Sequence, residues 1–359
     1  MKQRLSEFIT LQRGFDLPAS QRVLGEVPVV ASTGIVAWHN LAKVKAPGVV
    51  IGRSGSIGGG QFVEQDFWPL NTTLYVKDFK GNNPRYAYYA LKTIDFSAFN
   101  AGAGVPTLNR NHIASIEIEV LPRPIQDRIA GILSDYDSAI ANCRKQIALL
   151  EEAAMRLYRE WFKDGKGEKG HISKWFDVTI GRTPARKIAS YYSTNINDLK
   201  WCSIADIKST NTFVFDTAEK LTRQAVDDSK IHISPAGSIL LSFKLTVGRV
   251  AITADAMATN EAIAHFETND RALRDYTYCY LHEFKYGTLG STSSIGTAIN
   301  SDIVRRMPYI KPADEVLKNF SEEVSPIFDS ILMHGNQIRT LTEARDRLLP
   351  KLMSGEIEV

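Results

Sequence analysis

The sequence predicts an α+β fold: two related mixed α/β domains joined by two long antiparallel coiled-coil helices, with the halves related by a pseudo-twofold axis. Three observations carry this expectation. Two heptad seams lie 191 residues apart, the segments between them repeat more faintly, and the linker after the first seam is short. The expected divisions are a first domain over 1–123, a first helix over 124–163, a second domain over 164–311, and a second helix with its tail over 312–359.

The first helix opens at "LPRPIQDRIAGIL", where prolines at 122 and 124 mark a start because their missing N–H groups would be unpaired there anyway. Ile129, Leu133, Tyr136, Ile140, Cys143, Ile147, Leu150, Ala154, Leu157 and Trp161 follow in alternating steps of four and three. That spacing is a coiled-coil seam. Adding 191 to each number gives Phe320, Val324, Ile327, Ile331, His334, Ile338, Leu341, Arg345, Leu348 and Leu352, of which eight are apolar. "QIALLEEAAMRLY" (146–158) and "QIRTLTEARDRLL" (337–349) match at seven of thirteen positions, an internal repeat. His334 and Arg345 interrupt the second seam. A polar residue that fixes register, or an arginine that snorkels to water, accounts for both. Pro326 should kink the second helix or delay its regular part to about Ser325.

The intervening segments alternate β-branched and aromatic runs with Gly/Pro/Asn turns, a pattern of short strands. "GVVIGRSGSIG" (48–58) aligns with "GSILLSFKLTVG" (237–248) with one inserted residue, and Asn71 falls opposite Asn260. "GVPTLNRNHI" (104–113) falls opposite "IGTAINSDI" (295–303), each just before its long helix; "YAYYALKTI" (86–94) and "YTYCYLHEF" (276–284) are read as short helices in matching places.

Connectivity then sets the geometry. A helix of about 40 residues is ~60 Å long. A compact domain of about 148 residues has a radius of gyration near ~15 Å and cannot return the chain over that distance. The second helix should therefore start where the first ended and run back beside it, holding a domain at each end like a ruler.

Composition is that of an ordinary soluble chain: 359 residues, 44% apolar and 23% charged. Three scattered cysteines (Cys143, Cys202, Cys279) have no metal spacing and suit a reducing cytoplasm. The opening "MKQRLSEFIT" lacks a signal-peptide core, and no apolar run reaches the ~20 residues of a membrane span. The expected location is cytoplasmic, with no membrane partner. The net charge of +3 is unevenly spread. Residues 1–123 hold 13 basic against 9 acidic residues and 164–311 hold 19 against 16, while 124–163 balance and 312–359 are acidic. Basic domains weakly favour a polyanion.

Motifs for chemistry are missing. "GRSGSIGGGQ" (52–61) fits neither a P-loop nor a dinucleotide fingerprint, and the second copy has lost most of its glycines, so a tight strand-to-strand turn is expected. "NNPRY" (82–86) is similar to the Asn-Pro-Pro-Tyr loop of amino-methyltransferases, but Arg85 replaces the second proline, and it reads as a turn. The seven histidines show no zinc spacing. Neither a nucleophile elbow nor a carboxylate–lysine nuclease cluster occurs. No catalytic residue and no metal site is expected.

Taken together, "LQRGFDLP" (11–18), "VVIGRSGSIG" (49–58), "FWPLNTTLYV" (67–76), "VPTLNRNHI" (105–113), "LPRPIQDRIAGILSDYDSAI" (121–140), "GRTP" (181–184), "SFKLTVGRVAI" (242–252) and "RLLPKLMSGEI" (347–357) resemble the specificity subunit of type I restriction–modification systems. The resemblance covers nearly the whole chain. It implies two target recognition domains, each reading one half of an asymmetric split DNA site, held apart by the conserved helices. It further implies two methyltransferase subunits that methylate adenine and two restriction/motor subunits. S-adenosylmethionine, ATP and Mg are implied only for those partners, with no cofactor in this chain, which is then not an enzyme by itself.

Base edges are distinguished by Arg, Lys, Asn, Gln, Ser and Thr, while phosphates take Lys, Arg, hydroxyls and backbone N–H groups. Arg53, Ser54 and Ser56 in the first copy, and Lys244, Thr246 and Arg249 in the second, are therefore expected to face double-stranded DNA. Arg182, Arg186 and Lys187 in "GRTPARK" are further candidates, for phosphate. The blander alternative makes all nine solvated loop residues. Tyr158 and Phe162, near a helix end, suit either a methyltransferase subunit or their own domain. A rival reading of the whole chain is a two-headed coiled-coil adaptor that binds only proteins.

Overall fold

The computed structural model describes residues 1–102, 104–289 and 299–359. The chain forms two compact units: Met1–Ala139 with Thr340–Val359, and Ile140–Arg339.

Unit 1 contains β1 (Lys2–Arg4), α1 (Leu5–Phe8), β2 (Thr10–Arg13), β3 (Val27–Ala31), β4 (Gly34–His39), β5 (Gly48–Gly52), β6 (Gly58–Val63), β7 (Trp68–Pro69), β8 (Thr73–Asp78), α2 (Pro84–Lys92), α3 (Arg110–Ile113), β9 (Glu117–Glu119) and the first part of α4 (Arg123–Trp161). One sheet has the order β2-β8-β5-β6, a second β4-β3-β7, and β1 pairs with β9. β5 is buried at every residue, as its unbroken apolar run requires of a central strand. α2 starts where Asn83 accepts from the N–H groups of Arg85 and Tyr86, with Pro84 in the first turn. "NNPRY" is thus a helix cap rather than a free turn, and the Asn83 carbonyl oxygen is occupied. Ile129 and Leu133 of α4 join one buried cluster with Leu352 and Met353 of the C-terminal segment.

Unit 2 contains the remainder of α4, then β10 (Glu168–His171), β11 (Val178–Ile180), β12 (Tyr192–Ser193), β13 (Leu199–Cys202), α5 (Ile204–Ser209), β14 (Phe213–Val214), β15 (Glu219–Leu221), α6 (Arg223–Ser229), β16 (Ile239–Ser242), β17 (Val250–Thr253), β18 (Ala258–Thr259), β19 (Ile263–Phe266), α7 (Arg271–Glu283), α8 (Ser301–Arg305), β20 (Pro308–Lys311) and the first part of α9 (Asp314–Met353). Its sheets run β11-β19-β16-β17-β14 and β12-β15-β13-β18, and β10 pairs with β20. Ile147 and Ala154 of α4 are buried with Phe320, Val324 and Ile331 of α9. The end of α4 thus meets the start of α9 here, and its start meets the end of α9 in unit 1: an antiparallel pairing in each.

The two topologies repeat. β2-β8-β5-β6 corresponds to β11-β19-β16-β17, and the parallel pair β3–β7 corresponds to the parallel pair β13–β18. Asn109 caps α3 as Asn300, 191 residues later, caps α8. Residues 295–298 of the aligned "IGTAINSDI" lie outside the described residues. Unit 2 is larger because α5 and β14 are inserted between β13 and β15, where unit 1 joins β3 to β4 through Ser32 and Thr33 alone. It also adds β12 along β15, whereas Ile35, Val36 and Trp38 of the corresponding strand β4 are exposed.

Two expectations about the helices change. α9 begins at Asp314 and continues through Pro326, so its regular part is not delayed to Ser325. Val324, Ser325 and Phe328 are buried around the proline, and that packing outweighs the missing backbone hydrogen bond. Arg345 does not snorkel to water: its guanidinium pairs with Asp137 of α4 at 2.6 Å, both side chains being largely buried. His334 keeps a buried Nδ1 without a partner.

Candidate nucleic-acid interface

In unit 1, β5 and β6 pair antiparallel from Gly48↔Val63 to Gly52↔Gly58, so the glycine-rich stretch is a hairpin with Arg53–Ile57 at its tip. The glycines serve the backbone's approach to itself. A Cβ on Gly52 would lie 1.9 Å from the Ser56 carbonyl oxygen. Gly55 and Gly58 take φ of +83° and +73°, a region that disfavours side chains. Two neighbouring loops staple the tip. The N–H groups of Arg53 and Ser54 donate to the Thr72 carbonyl (2.8 and 3.1 Å), Gly55 donates to Pro106 (3.0 Å), and Leu108 donates to Arg53 (2.8 Å). The Arg53 guanidinium makes one long bond, 3.4 Å from Nη1 to the Asn71 carbonyl, and keeps its other donors. Arg53 and Ser54 are half-buried, and Ser56 is exposed.

Unit 2 builds the corresponding tip between β16 and β17. Lys244, Leu245 and Thr246 are exposed and Arg249 is half-buried. The Ser242 hydroxyl donates to the Thr246 carbonyl (2.6 Å) and accepts from the Arg249 N–H (3.1 Å). Arg249 Nη1 donates to the Ile204 carbonyl (2.9 Å), turning that side chain inward. The "GRTPARK" loop lies against the same end. Gly181 donates to Ile263 and Arg182 to Thr259 through their backbones (3.0 and 2.9 Å). A Cβ on Gly181 would meet Thr259 Oγ1 at 2.1 Å.

The nine candidates therefore differ in what they have left to offer. Arg182 gives Nη1 to the Ser229 carbonyl (2.8 Å). Arg186 is committed further: it holds Glu219 through both Nη atoms (2.7 and 2.9 Å) and lies 4.2 and 4.8 Å over the rings of Tyr192 and Trp201. Lys187 is exposed and forms no ion pair among the described residues. Thr183 donates to Glu261, and that bond, together with Lys244 and Arg186, holds the Glu261 carboxyl below its usual range against the opposing effect of burial. Arg186, Lys244, Thr183 and Glu261 thus share one electrostatic neighbourhood. Sequence patterns did not reveal Glu219, Glu261, Tyr192 or Trp201 as partners here, because nothing in their spacing marks them. The alignment of Asn71 with Asn260 was the available pointer to Glu261, its neighbour.

Tyr158 and Phe162 pack on their own unit: Phe162 lies 4.7 Å from Tyr276 and 5.0 Å from Phe320, ring centre to ring centre. The structure also brings together residues with no motif spacing. His232, His265 and Glu267 place ligand-type atoms within 4.8 Å of one another, the one such grouping among the described residues. Three of the four ring nitrogens already have partners. His265 meets the Thr179 hydroxyl at Nδ1 (2.8 Å) and the Thr259 hydroxyl at Nε2 (2.6 Å), and His232 Nε2 lies 2.6 Å from Glu267. Burial, reinforced by the neighbouring His232, pushes the His265 pKa down to about 3, so the ring is neutral.

Residues 1–152 match the family described as the type I restriction modification DNA specificity domain. Over 304 residues the chain is 26% identical to the type I restriction enzyme MjaIX specificity subunit of Methanocaldococcus jannaschii, covering 76% of this chain and 69% of that protein. Over 192 residues it is 29% identical to the type I restriction enzyme HindI specificity subunit of Haemophilus influenzae, covering 52% of this chain but 40% of that protein. The crystal structure of the type I restriction–modification S subunit from M. genitalium superposes with a TM-score of 0.60 over 98% of this chain and 96% of that one; at 13% identity this shows a shared fold.

Proposed function

We propose that this chain, a member of the type I restriction–modification DNA specificity family, is the DNA-reading subunit that directs partner enzymes to a bipartite, asymmetric site. The domain over 1–123 reads one half-site and the domain over 164–311 the other, while the helical segments 124–163 and 312–359 set the spacer and receive two methyltransferase subunits. Two restriction/motor subunits complete the assembly. Adenine methylation, with its S-adenosylmethionine, and the ATP- and Mg-dependent steps belong to those partners, and this chain contributes no catalytic group. The cytoplasm, where the DNA lies, is the place of action.

One observation carries the reading: the same hairpin tip is built in both units, ringed by side chains suited to base edges and phosphates. Arg53, Ser54, Ser56, Lys244 and Thr246 are the candidates for base edges. Arg182 and Lys187 suit phosphate, while Arg186 and Arg249 hold the loop through Glu219 and Ile204. The test is to express the chain with its methyltransferase partner and map methylated adenines across the host genome. A split motif is expected, and a one-turn extension of both long helices should alter its spacer. Absence of any motif, with binding to duplex DNA insensitive to salt, overturns the reading and leaves the protein-binding adaptor.

A further inference from the structure

The hairpin tip of unit 2 carries a side chain that packs on no core among the described residues. Leu245 is 98% exposed and joins no buried cluster of the described residues. It also takes φ of +60°, a left-handed conformation that crowds the Cβ of any residue but glycine. Counting back from the glycine that closes each tip, Gly58 and Gly248, the corresponding residue in unit 1 is Gly55. Gly55 takes φ of +83° with open space where a Cβ would stand. Unit 1 thus meets a positive φ at this place with glycine, whereas unit 2 holds a leucine at a positive φ.

The surroundings fix it there. The Thr246 N–H donates to the Lys244 carbonyl across Leu245 (2.6 Å), closing a γ-turn. The Ser242 hydroxyl braces the Thr246 carbonyl (2.6 Å), and Gly248 N–H donates to the Ser242 carbonyl (2.9 Å). Strained backbone persists where neighbouring bonds over-determine it, and such places cluster at functional sites. On either side stand an ammonium and a hydroxyl, the groups that contact phosphates and base edges.

We propose that Leu245 is a specificity-determining residue whose isobutyl group meets the 5-methyl group of a thymine in the half-site read by unit 2. The proposal rests on the DNA-reading function above. The thymine methyl is the apolar feature of the major-groove code, and an apolar side chain presented to solvent from a braced backbone is its complement. Burying one methyl against another is worth about 3- to 5-fold in affinity.

The assembled complex of the full chain with its methyltransferase subunits is tested against a duplex of its own mapped motif, each thymine replaced in turn by uracil, which lacks the methyl. Wild type should lose about 3- to 5-fold at one thymine of one half-site. Leu245→Ala should lose affinity for the parent duplex and become indifferent to that replacement, with the other half-site unaffected. Leu245→Gly should do the same while melting no lower than wild type, which separates reading from folding. Identical thymine profiles for wild type and Leu245→Ala, or no thymine in the half-site that Leu245→Ala weakens, overturn the proposal while the DNA-reading function stands. A wild type without any motif removes both.

Discussion

Arg345 and Asp137 join the two long helices inside unit 1, guanidinium to carboxylate at 2.6 Å, and the second Asp137 oxygen accepts from the Tyr89 hydroxyl at 2.6 Å. One carboxylate thus ties α9 and α2 to α4. Side-chain exposures of 16% and 24% place the pair where water screens it poorly. Arg345→Ala leaves Asp137 half satisfied and should destabilise unit 1 by about 1–3 kcal/mol, above what an exposed pair is worth. Urea unfolding of wild type and variant measures this. A loss within error would reduce the pair to an incidental surface contact.

Much of this arrangement was legible in the sequence. Heptad spacing named Ile129, Leu133, Ile147 and Val324 as seam residues, and all are buried, because periodicity is the direct imprint of a one-sided helix. The 191-residue offset pointed to the repeat, but that its aligned Asn109 and Asn300 both cap short helices required the structure. Arg345 was legible only as an interruption, since a pattern of apolar positions contains no information about which carboxylate will stand opposite. Arg186 failed to reveal its commitment for the same reason: Glu219 lies 33 residues away, brought near by strand pairing rather than by spacing. Leu245 could have been noticed from its alignment with Gly55, although its exposure required the structure.

His265 makes unit 2 sensitive to acid. Its ordinary value of 6.5 falls to about 3 in the fold, so the unfolded chain binds the proton more readily. The contribution is fully present above pH 6.5 and is lost as the pH falls toward 3. Between about pH 7 and pH 5 the loss should be about 2 kcal/mol. His265→Gln cannot take up that proton, so its stability should fall less over the same interval. Denaturant melts at both pH values decide it, and parallel decline in the two proteins would place the acid sensitivity elsewhere.

Arg186 and Lys187 are adjacent but should behave differently. Arg186 is engaged by Glu219, Tyr192 and Trp201, so Arg186→Ala should lower the melting temperature of the full chain, by about 1 kcal/mol in stability because the pair is exposed. Lys187 has no such ties, and Lys187→Ala should leave stability unchanged. If its ammonium neutralises a phosphate, binding should weaken equally for all duplexes and the log–log salt slope should decrease by about 1. An unaltered slope removes Lys187 from the interface.

If unit 1 reads DNA as proposed, Arg53 is the candidate whose geometry best suits a base edge. Its backbone is clamped on both sides by Thr72 and Leu108, so the side chain leaves from a fixed point. Its guanidinium spends one weak bond on Asn71 and retains the paired donors that suit guanine O6 and N7. Arg53→Ala should therefore reduce specific affinity by about 1–3 kcal/mol and relax preference at one position of one half-site. Arg53→Lys keeps the charge but not the fork, and should restore phosphate-like affinity without the preference. Competition between the parent duplex and single-pair variants separates the two effects. Full recovery of preference by lysine would assign Arg53 to the DNA backbone, and an unchanged isotherm for alanine would take it off the DNA altogether.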